Sequence, residues 1–380
     1  MALAVRRSGS HVLIRPLKTA STIMGAIVAC GVVPSRHKAL PSATMEPTEA
    51  LRRVAYLLER GRADSYKVLA FRRAAATVDA TDPETLQSLA RRGRLKDLAG
   101  VGETTAKVIA EALAGGTPSY LQELEGEQPG PPPAAVAALR RALKGDCHSH
   151  SDWSDGGSPI PEMAQAARAI GHEYLVLTDH SPRLTVAHGL DADRLRAQLE
   201  VVAALNEEMA PWRLLSGIEV DIFEDGSLDQ SEDLLAGLDI VVASVHSKLR
   251  MDAKQMTRRM VRAVESPHVD ILGHCTGRLI VGRGRPQSEF DADEVFEACA
   301  RNSTAVEINS RPERRDPPPE VLVKAVEAGC VVTIDTDAHA PGQLEWLDFG
   351  CEQAVEAGLG PARIMNSRSA DELLEWASSR

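Results

Sequence analysis

Residues 145–156 read GDCHSHSDWSDG, with His148 and His150 two positions apart and Asp155 in the Ser154-Asp155-Gly156-Gly157 turn that follows. On an extended segment, residues i and i+2 project to one side, so both imidazoles face the same way at the end of a short strand. The same arrangement recurs downstream. Apolar, β-rich runs at Tyr174–Leu177, Leu214–Val220, Ile240–Val245, Val269–Leu272, Ala305–Ile308 and Val331–Ile334 alternate with helical stretches. The helical stretches include Pro161–Ile170, Arg194–Met209, Lys254–Val264, Ala292–Arg301 and Glu320–Ala328. Continuous apolar strands separated by helices predict a parallel sheet covered on its outer face. With Gly145–His148 the strands number seven, enough for a closed or nearly closed β/α barrel.

The polar residues fall where such a barrel would use them. The first strand ends in His148 and His150, the second in Asp179-His180, the third in Glu219, the fourth in His246, the fifth in His274, and the last in Asp337 and His339. The carboxyl ends of barrel strands form one rim, where active sites sit. Six histidines and several carboxylates on one rim would repel and desolvate one another unless cations join them. A lone His-x-His is weak evidence; the same feature at successive strand ends points to a multinuclear metal centre.

Charge is distributed to match. The chain has 380 residues and a formal net charge of −11, which excludes a wholly basic nucleic-acid binder. Residues 1–44 carry six Lys/Arg and no acid; residues 45–145 carry 15 basic and 13 acidic residues; residues 146–380 carry 22 basic and 41 acidic residues, a balance of −19. Aromatic residues make up 3%, too few for an obvious single-strand stacking surface.

The motifs HSHSDWSDG, LTDHS (177–181), GIEVD (217–221), SVHS (244–247), GHCTGR (273–278), EIN (307–309) and TDAH (336–339) resemble those of the PHP (polymerase and histidinol phosphatase) phosphoesterases over the whole of 145–380. The resemblance implies a distorted (β/α)7 barrel and a trinuclear site with nine ligands. They fall on His148, His150, Asp155, His180, Glu219, His246, His274, Asp337 and His339. By that analogy His148, His150, Glu219 and Asp337 hold one metal, and Glu219 bridges to a second held by His246 and His274. Asp155, His180 and His339 hold the third. Mixed imidazole and carboxylate ligation suits Zn²⁺, Mn²⁺ or Fe²⁺, and close divalent ions activate water for attack on phosphorus. Phosphate also calls for cationic donors. Arg278, four residues past His274, is the expected catalytic arginine, with Arg283, Arg285 and Arg314 in nearby polar loops.

Residues 45–125 read as a small all-helical domain. Leu51, Val54, Leu57 and Leu58 recur at helical spacing, Tyr66–Val78 forms a second helix, and Asp82-Pro83 opens a third. Then comes LKDLAGVGETTAKVIAEAL (95–113), a helix-hairpin-helix signature. Its glycines allow a tight turn, and the following helix N-terminus offers N–H groups to a DNA phosphate. Gly100, Val101, Gly102, Thr104 and Lys107 are the expected contacts. Residues 51–107 hold 12 basic and seven acidic residues. This segment resembles the N-terminal DNA-binding domain of family-X DNA polymerases, whose bacterial members carry a PHP domain after the polymerase. Between Gly126 and Lys144 lies only a Pro/Gly-rich linker with a short helix, leaving no room for the polymerase fold. That family's Schiff-base lysine would fall on Val108, which argues against a lyase activity.

Six cysteines are spread singly without a CxxC pair, which fits a reduced cytoplasm. The longest apolar run, Ile23–Val33, is too short to span a bilayer. It follows Arg15 and Lys18, so a signal peptide is one reading of residues 1–44. The other is a disordered leader or a start assigned too early, since Met45 opens a well-formed domain. The sequence thus predicts a cytoplasmic phosphoesterase with three divalent ions acting on DNA ends, as a 3′–5′ exonuclease or 3′-phosphatase in repair. The competing readings are a histidinol-phosphatase-type enzyme with an inherited helical domain and a non-enzymatic DNA-binding scaffold.

Overall fold

The computed structural model describes residues 45–379; the leader expected over residues 1–44 lies outside them. Five helices come first: α1 (Pro47–Arg60), α2 (Ser65–Asp79), α3 (Pro83–Arg91), α4 (Glu103–Leu113) and α5 (Ser119–Gly126). Proline at the first turn starts α1 and α3, where a missing N–H costs nothing. The Asp82 carboxylate caps α3 by accepting from Thr85 N at 2.9 Å. These helices close over Leu51, Val54, Phe71, Val108, Ile109 and Leu121. The Pro/Gly segment that follows is mostly exposed, and α6 (Ala134–Ala142) leads into the barrel.

Seven parallel strands then pair in sequence order: β1 (Gly145–Asp146), β2 (Tyr174–Leu177), β3 (Arg213–Asp221), β4 (Ile240–Ser244), β5 (Ile271–Leu272), β6 (Ala305–Asn309) and β7 (Val332–Asp335). The first and last strands meet through a single parallel bridge, Ser149 to Ala338, so the barrel is nearly closed. Within each apolar run alternate residues have different destinations. Tyr174 and Val176 face the interior with Leu215, Ile240 and Val242, whereas Leu175 and Leu177 face outward onto α7 (Ile160–Ala169). Trp376 and Leu373 of the terminal helix (Ala370–Ser378) pack against the interior set.

The helical domain docks directly on the barrel. Gly342 N donates to Glu59 Oε2 at 3.0 Å and Trp346 Nε1 to the Arg60 carbonyl at 3.0 Å. Arg60 pairs with Glu345 at 2.9 Å, and Arg72 spans Glu59 (2.6 Å) and Glu162 of α7 (2.7 Å). A side chain at Gly342 would lie 2.1 Å from the Tyr56 carbonyl oxygen, so glycine is what lets the two surfaces meet.

Candidate metal centre

Most of the nine residues lie just beyond the carboxyl end of a strand, and Glu219 lies near the end of β3 itself. Glu219 is the hub. Its buried carboxylate lies 2.8 Å from His180 Nδ1 and His274 Nε2, 3.1 Å from His246 Nε2, 3.4 Å from His148 Nε2 and 3.6 Å from His150 Nε2. Asp337 approaches His150 at 3.4 Å, and Asp155 approaches His180 at 3.5 Å and His339 at 3.4 Å. All nine expected residues therefore converge. Their ligand atoms gather into overlapping groups: His150, Asp155, His180 and His339; His148, His150 and Asp337; His148, Glu219 and His274; His180, Glu219 and His246.

The donor chemistry fits cations. His148 Nε2, both nitrogens of His150, His180 Nδ1, Glu219 Oε2, His246 Nε2 and His274 Nδ1 are buried without a hydrogen-bond partner. Buried polar atoms in that number need a partner to offset desolvation. Backbone strain is present as well: Asp337 holds φ 53, in the left-handed region. Burial lowers the His150 pKa to about 3, helped by His339 and His180. Burial also opposes charge on His246, but Glu219 and Asp221 overcome it and push that ring up to about 9. For Glu219 burial favours the neutral acid, and the surrounding histidines hold the carboxyl well below its usual range instead.

A second layer aims the rings. Glu307 meets His148 Nδ1 at 2.6 Å and accepts from the backbone N–H of His274 at 2.5 Å, and Asp221 meets His246 Nδ1 at 3.3 Å. The Asp179 carboxylate is not hydrogen-bonded to the His180 ring. It accepts from Ser151 Oγ (2.6 Å), Ser154 Oγ (2.5 Å) and Gln198 Nε2 (2.6 Å), which pins the 148–156 loop.

The centre opens into a cavity of about 410 Å³ that Arg285, Arg311 and Arg314 also line. Arg314 Nε stands 3.2 Å from Asp337 Oδ2, and Arg311 Nη1 stands 3.5 Å from Asp337 Oδ1 and 3.3 Å from His339 Nδ1. Arg278, the arginine expected from sequence, is elsewhere. Its guanidinium donates to the Arg314 carbonyl at 2.9 Å and to the Arg315 carbonyl, tying down the 311–316 loop from behind. Arg311, Glu307 and Asp221 join the site only through the structure. Glu307 stood inside the EIN motif and Asp221 inside GIEVD, which were signals that could have found them.

In the helical domain Gly100 adopts φ 76, as a tight hairpin requires, and Val101 is buried. Gly102 N–H is already taken by Thr105 Oγ1 at 2.8 Å. Thr104 is exposed, and Lys107 is exposed with Glu111 at 3.7 Å. Val108 is fully buried. Among the described residues no helix is long and apolar enough to cross a membrane.

Barrel and rim together define a nearly closed α/β barrel with a candidate multinuclear metal centre at the carboxyl ends of its strands. Comparison with known proteins narrows the class. A helix-hairpin-helix domain model matches residues 43–118 and the PHP domain model matches residues 146–311. The DNA polymerase/3′-5′ exonuclease PolX of Bacillus subtilis (strain 168) is 42% identical over 231 residues, covering 61% of this chain and 40% of that protein. The chain thus spans well under half the length of that relative. A probable phosphatase of Caldanaerobacter subterraneus subsp. tengcongensis is 31% identical over 246 residues, covering 62% of this chain and 91% of the relative. A crystal structure of histidinol phosphate phosphatase from Lactococcus lactis, complexed with zinc, L-histidinol and phosphate, aligns with TM-score 0.40 and 18% identity over 57% of this chain and 95% of that one. The chain belongs to the PHP family, with a helix-hairpin-helix domain ahead of its PHP domain.

Proposed function

We propose that this chain hydrolyses phosphoesters at DNA ends, as a 3′–5′ exonuclease or 3′-phosphatase, using divalent ions held by His148, His150, Asp155, His180, Glu219, His246, His274, Asp337 and His339. The observation that carries the reading is the docking of a helix-hairpin-helix domain on the barrel rim that bears this cluster, through Arg72–Glu162 at 2.7 Å and Arg60–Glu345 at 2.9 Å. A relative named for 3′-5′ exonuclease activity, 42% identical over the aligned part, supports it.

Zn²⁺, Mn²⁺ or Fe²⁺ bound there would activate water and offset charge on phosphoryl oxygens. The chain's own residues do the rest. Arg285, Arg311 and Arg314 present fixed cationic donors to the phosphoryl oxygens entering the cavity. Glu307 and Asp221 set the tautomer and direction of His148 and His246, leaving the Nε2 atom of each aimed inward. Cys147 and Cys275 adjoin the centre, but burial pushes both thiols well up, so neither is a thiolate nucleophile.

The test is hydrolysis of 3′-labelled oligonucleotides and of 3′-phosphorylated ends with Mn²⁺. Activity should disappear in His148→Ala and in Asp337→Ala. If neither DNA substrate is processed with any divalent metal, the DNA-end reading fails. Turnover of histidinol phosphate far above that of DNA would favour a small-molecule phosphatase instead.

A further inference from the structure

Three arginines of the helical domain reach the barrel, and they differ in how they are used. Arg60 lies 2.9 Å from Glu345, and Arg72 is bonded to Glu59 and Glu162 at 2.6–2.7 Å. Both are consumed in holding the domains together. Arg62 is not. It sits in the turn between α1 and α2 at φ 58, a left-handed conformation that non-glycine residues seldom adopt. Its nearest carboxylate oxygen, Glu313 Oε1, is 3.8 Å away, beyond hydrogen-bond range, and its side chain is 40% exposed.

Glu313 is the informative neighbour. It lines the catalytic cavity, and the Ile280 N–H holds its backbone carbonyl at 2.7 Å. Its Oε2 is buried without a hydrogen-bond partner, with Arg311 Nε at 3.6 Å. A single carboxylate therefore stands between a guanidinium of the barrel and one of the helical domain, bonded to neither. Arg311 continues inward to Asp337 at 3.5 Å. Only two side chains, Glu313 and Arg311, separate Arg62 from Asp337. Arg62 itself lies outside the cavity lining. An ester with one phosphate, seated on Arg285, Arg311 and Arg314, stops short of it; a strand running out of the cavity toward the helical domain passes it.

We propose that Arg62 is a second phosphate subsite, supplied by the helical domain, for the phosphate next along the strand from the one at the metal centre. The substrate class is then a polynucleotide end with at least two phosphates. The planar guanidinium fork matches a backbone phosphate, and Arg62, with its nearest carboxylate oxygen at 3.8 Å, keeps its donors for one. This inference rests on the DNA-end reading above.

The experiment compares Arg62→Gln with the wild-type full chain, both loaded with Mn²⁺, on a 3′-labelled oligonucleotide and on bis(p-nitrophenyl) phosphate. The expected result is a roughly tenfold fall in kcat/KM for the oligonucleotide, carried by KM, with less than a twofold change for the one-phosphate ester. The slope of log KM against log salt for the oligonucleotide should fall by about 0.7, the share of one phosphate on a single strand. Arg62→Lys, which keeps the charge but not the planar fork, should restore the salt slope and only part of the KM loss. Equal losses on both substrates, no loss on either, or an unchanged salt slope would overturn the subsite. If the wild-type chain cleaves the ester and never the oligonucleotide, the DNA-end reading fails and takes the subsite with it. If the wild-type chain cleaves the oligonucleotide and Arg62→Gln matches it, the subsite alone fails.

Discussion

Glu219→Gln tests the metal centre at its hub. The substitution keeps the size and shape of a side chain that is fully buried, and it removes the one carboxylate within 3.6 Å of five imidazoles. It also turns an acceptor oxygen into an NH₂ donor facing nitrogens that would need their lone pairs for ligation. At an effective dielectric of about 20, opposite unit charges about 4 Å apart attract by about 4 kcal/mol. At 1.4 kcal/mol per tenfold, losing one such interaction costs about a thousandfold in affinity. Two of the four ligand groups contain Glu219, so metal held there should be lost, while the His150, Asp155, His180 and His339 group and the His148, His150 and Asp337 group keep their donors. The assay is metal content by mass spectrometry after dialysis against a weak chelator, with phosphoester hydrolysis measured on the same samples. The expected outcome is loss of about half or more of the bound metal and at least a thousandfold loss of turnover. Unfolding of the metal-free variant, followed by circular dichroism, checks that the barrel persists. A folded Glu219→Gln protein with wild-type metal content and turnover would refute the assignment of Glu219 as the shared ligand.

The remaining predictions concern the arginines, the barrel floor and the domain seam. Arg314→Ala should raise KM for phosphoesters about tenfold or more, whereas Arg278→Ala, which frees two loop carbonyls, should cost about 1–2 kcal/mol of stability in urea unfolding with a smaller effect on KM. His172 is buried, accepts from Arg140 at 3.2 Å and has its pKa lowered to about 3, first by burial and then by that arginine. It stays neutral in the fold but protonates in the unfolded chain below pH ~6.5, so the stability it contributes falls as pH drops. His172→Gln should therefore remove roughly 2 kcal/mol of the wild-type stability loss between pH 7 and pH 5, read from paired denaturant titrations. Gly342→Ala puts a methyl 2.1 Å from a backbone oxygen and should cost about 1–3 kcal/mol or more, with the docked helical domain becoming more protease-sensitive than the barrel.

Much of the barrel could be read directly, because a parallel strand buried on both faces leaves an uninterrupted apolar run. The runs at Tyr174–Leu177 and Ala292–Arg301 coincide with the observed strand and helix, and the nine rim residues meet as their strand-end positions require. What could not be read has a physical reason in each case. The seam between the domains is held by polar pairs such as Tyr56 with Glu345, 289 residues apart at 2.5 Å, and such pairs have no local periodicity. The arginines were indistinguishable in sequence because each lies in a polar, glycine- or proline-bearing loop. Which of them faces the cavity is decided by the Asn309–Asp316 bridge, which folds the 311–316 loop back on itself. Asp316, at the loop's base, takes the Thr276 hydroxyl at 2.5 Å, so that Arg311 and Arg314 turn inward while Arg278 is spent on the loop's outer carbonyls.

That loop also recasts the charge of the chain. An excess of −19 over residues 146–380 suggests a surface hostile to phosphate, but a net charge is a sum over the whole surface and an incoming anion responds mainly to charges within about 10 Å. Around the cavity the acids are already engaged: Asp337 by Arg311 and Arg314, and Glu219 by the ring of histidines. Glu313 stands between Arg311 and Arg62. The local charge at the opening is therefore close to balanced, with Arg285, Arg311, Arg314 and, across the seam, Arg62 set against Asp155, Glu219, Glu313 and Asp337, and it lacks the acidic excess of the barrel as a whole. The acidic remainder acts at longer range, where salt screens it. Raising ionic strength should then weaken two opposed effects at once, the repulsion of the barrel surface and the attraction of the arginine row. Because the row is closer and partly buried it is screened less, so low salt need not be optimal for a one-phosphate ester, while a strand reaching exposed Arg62 should still bind more weakly as salt rises.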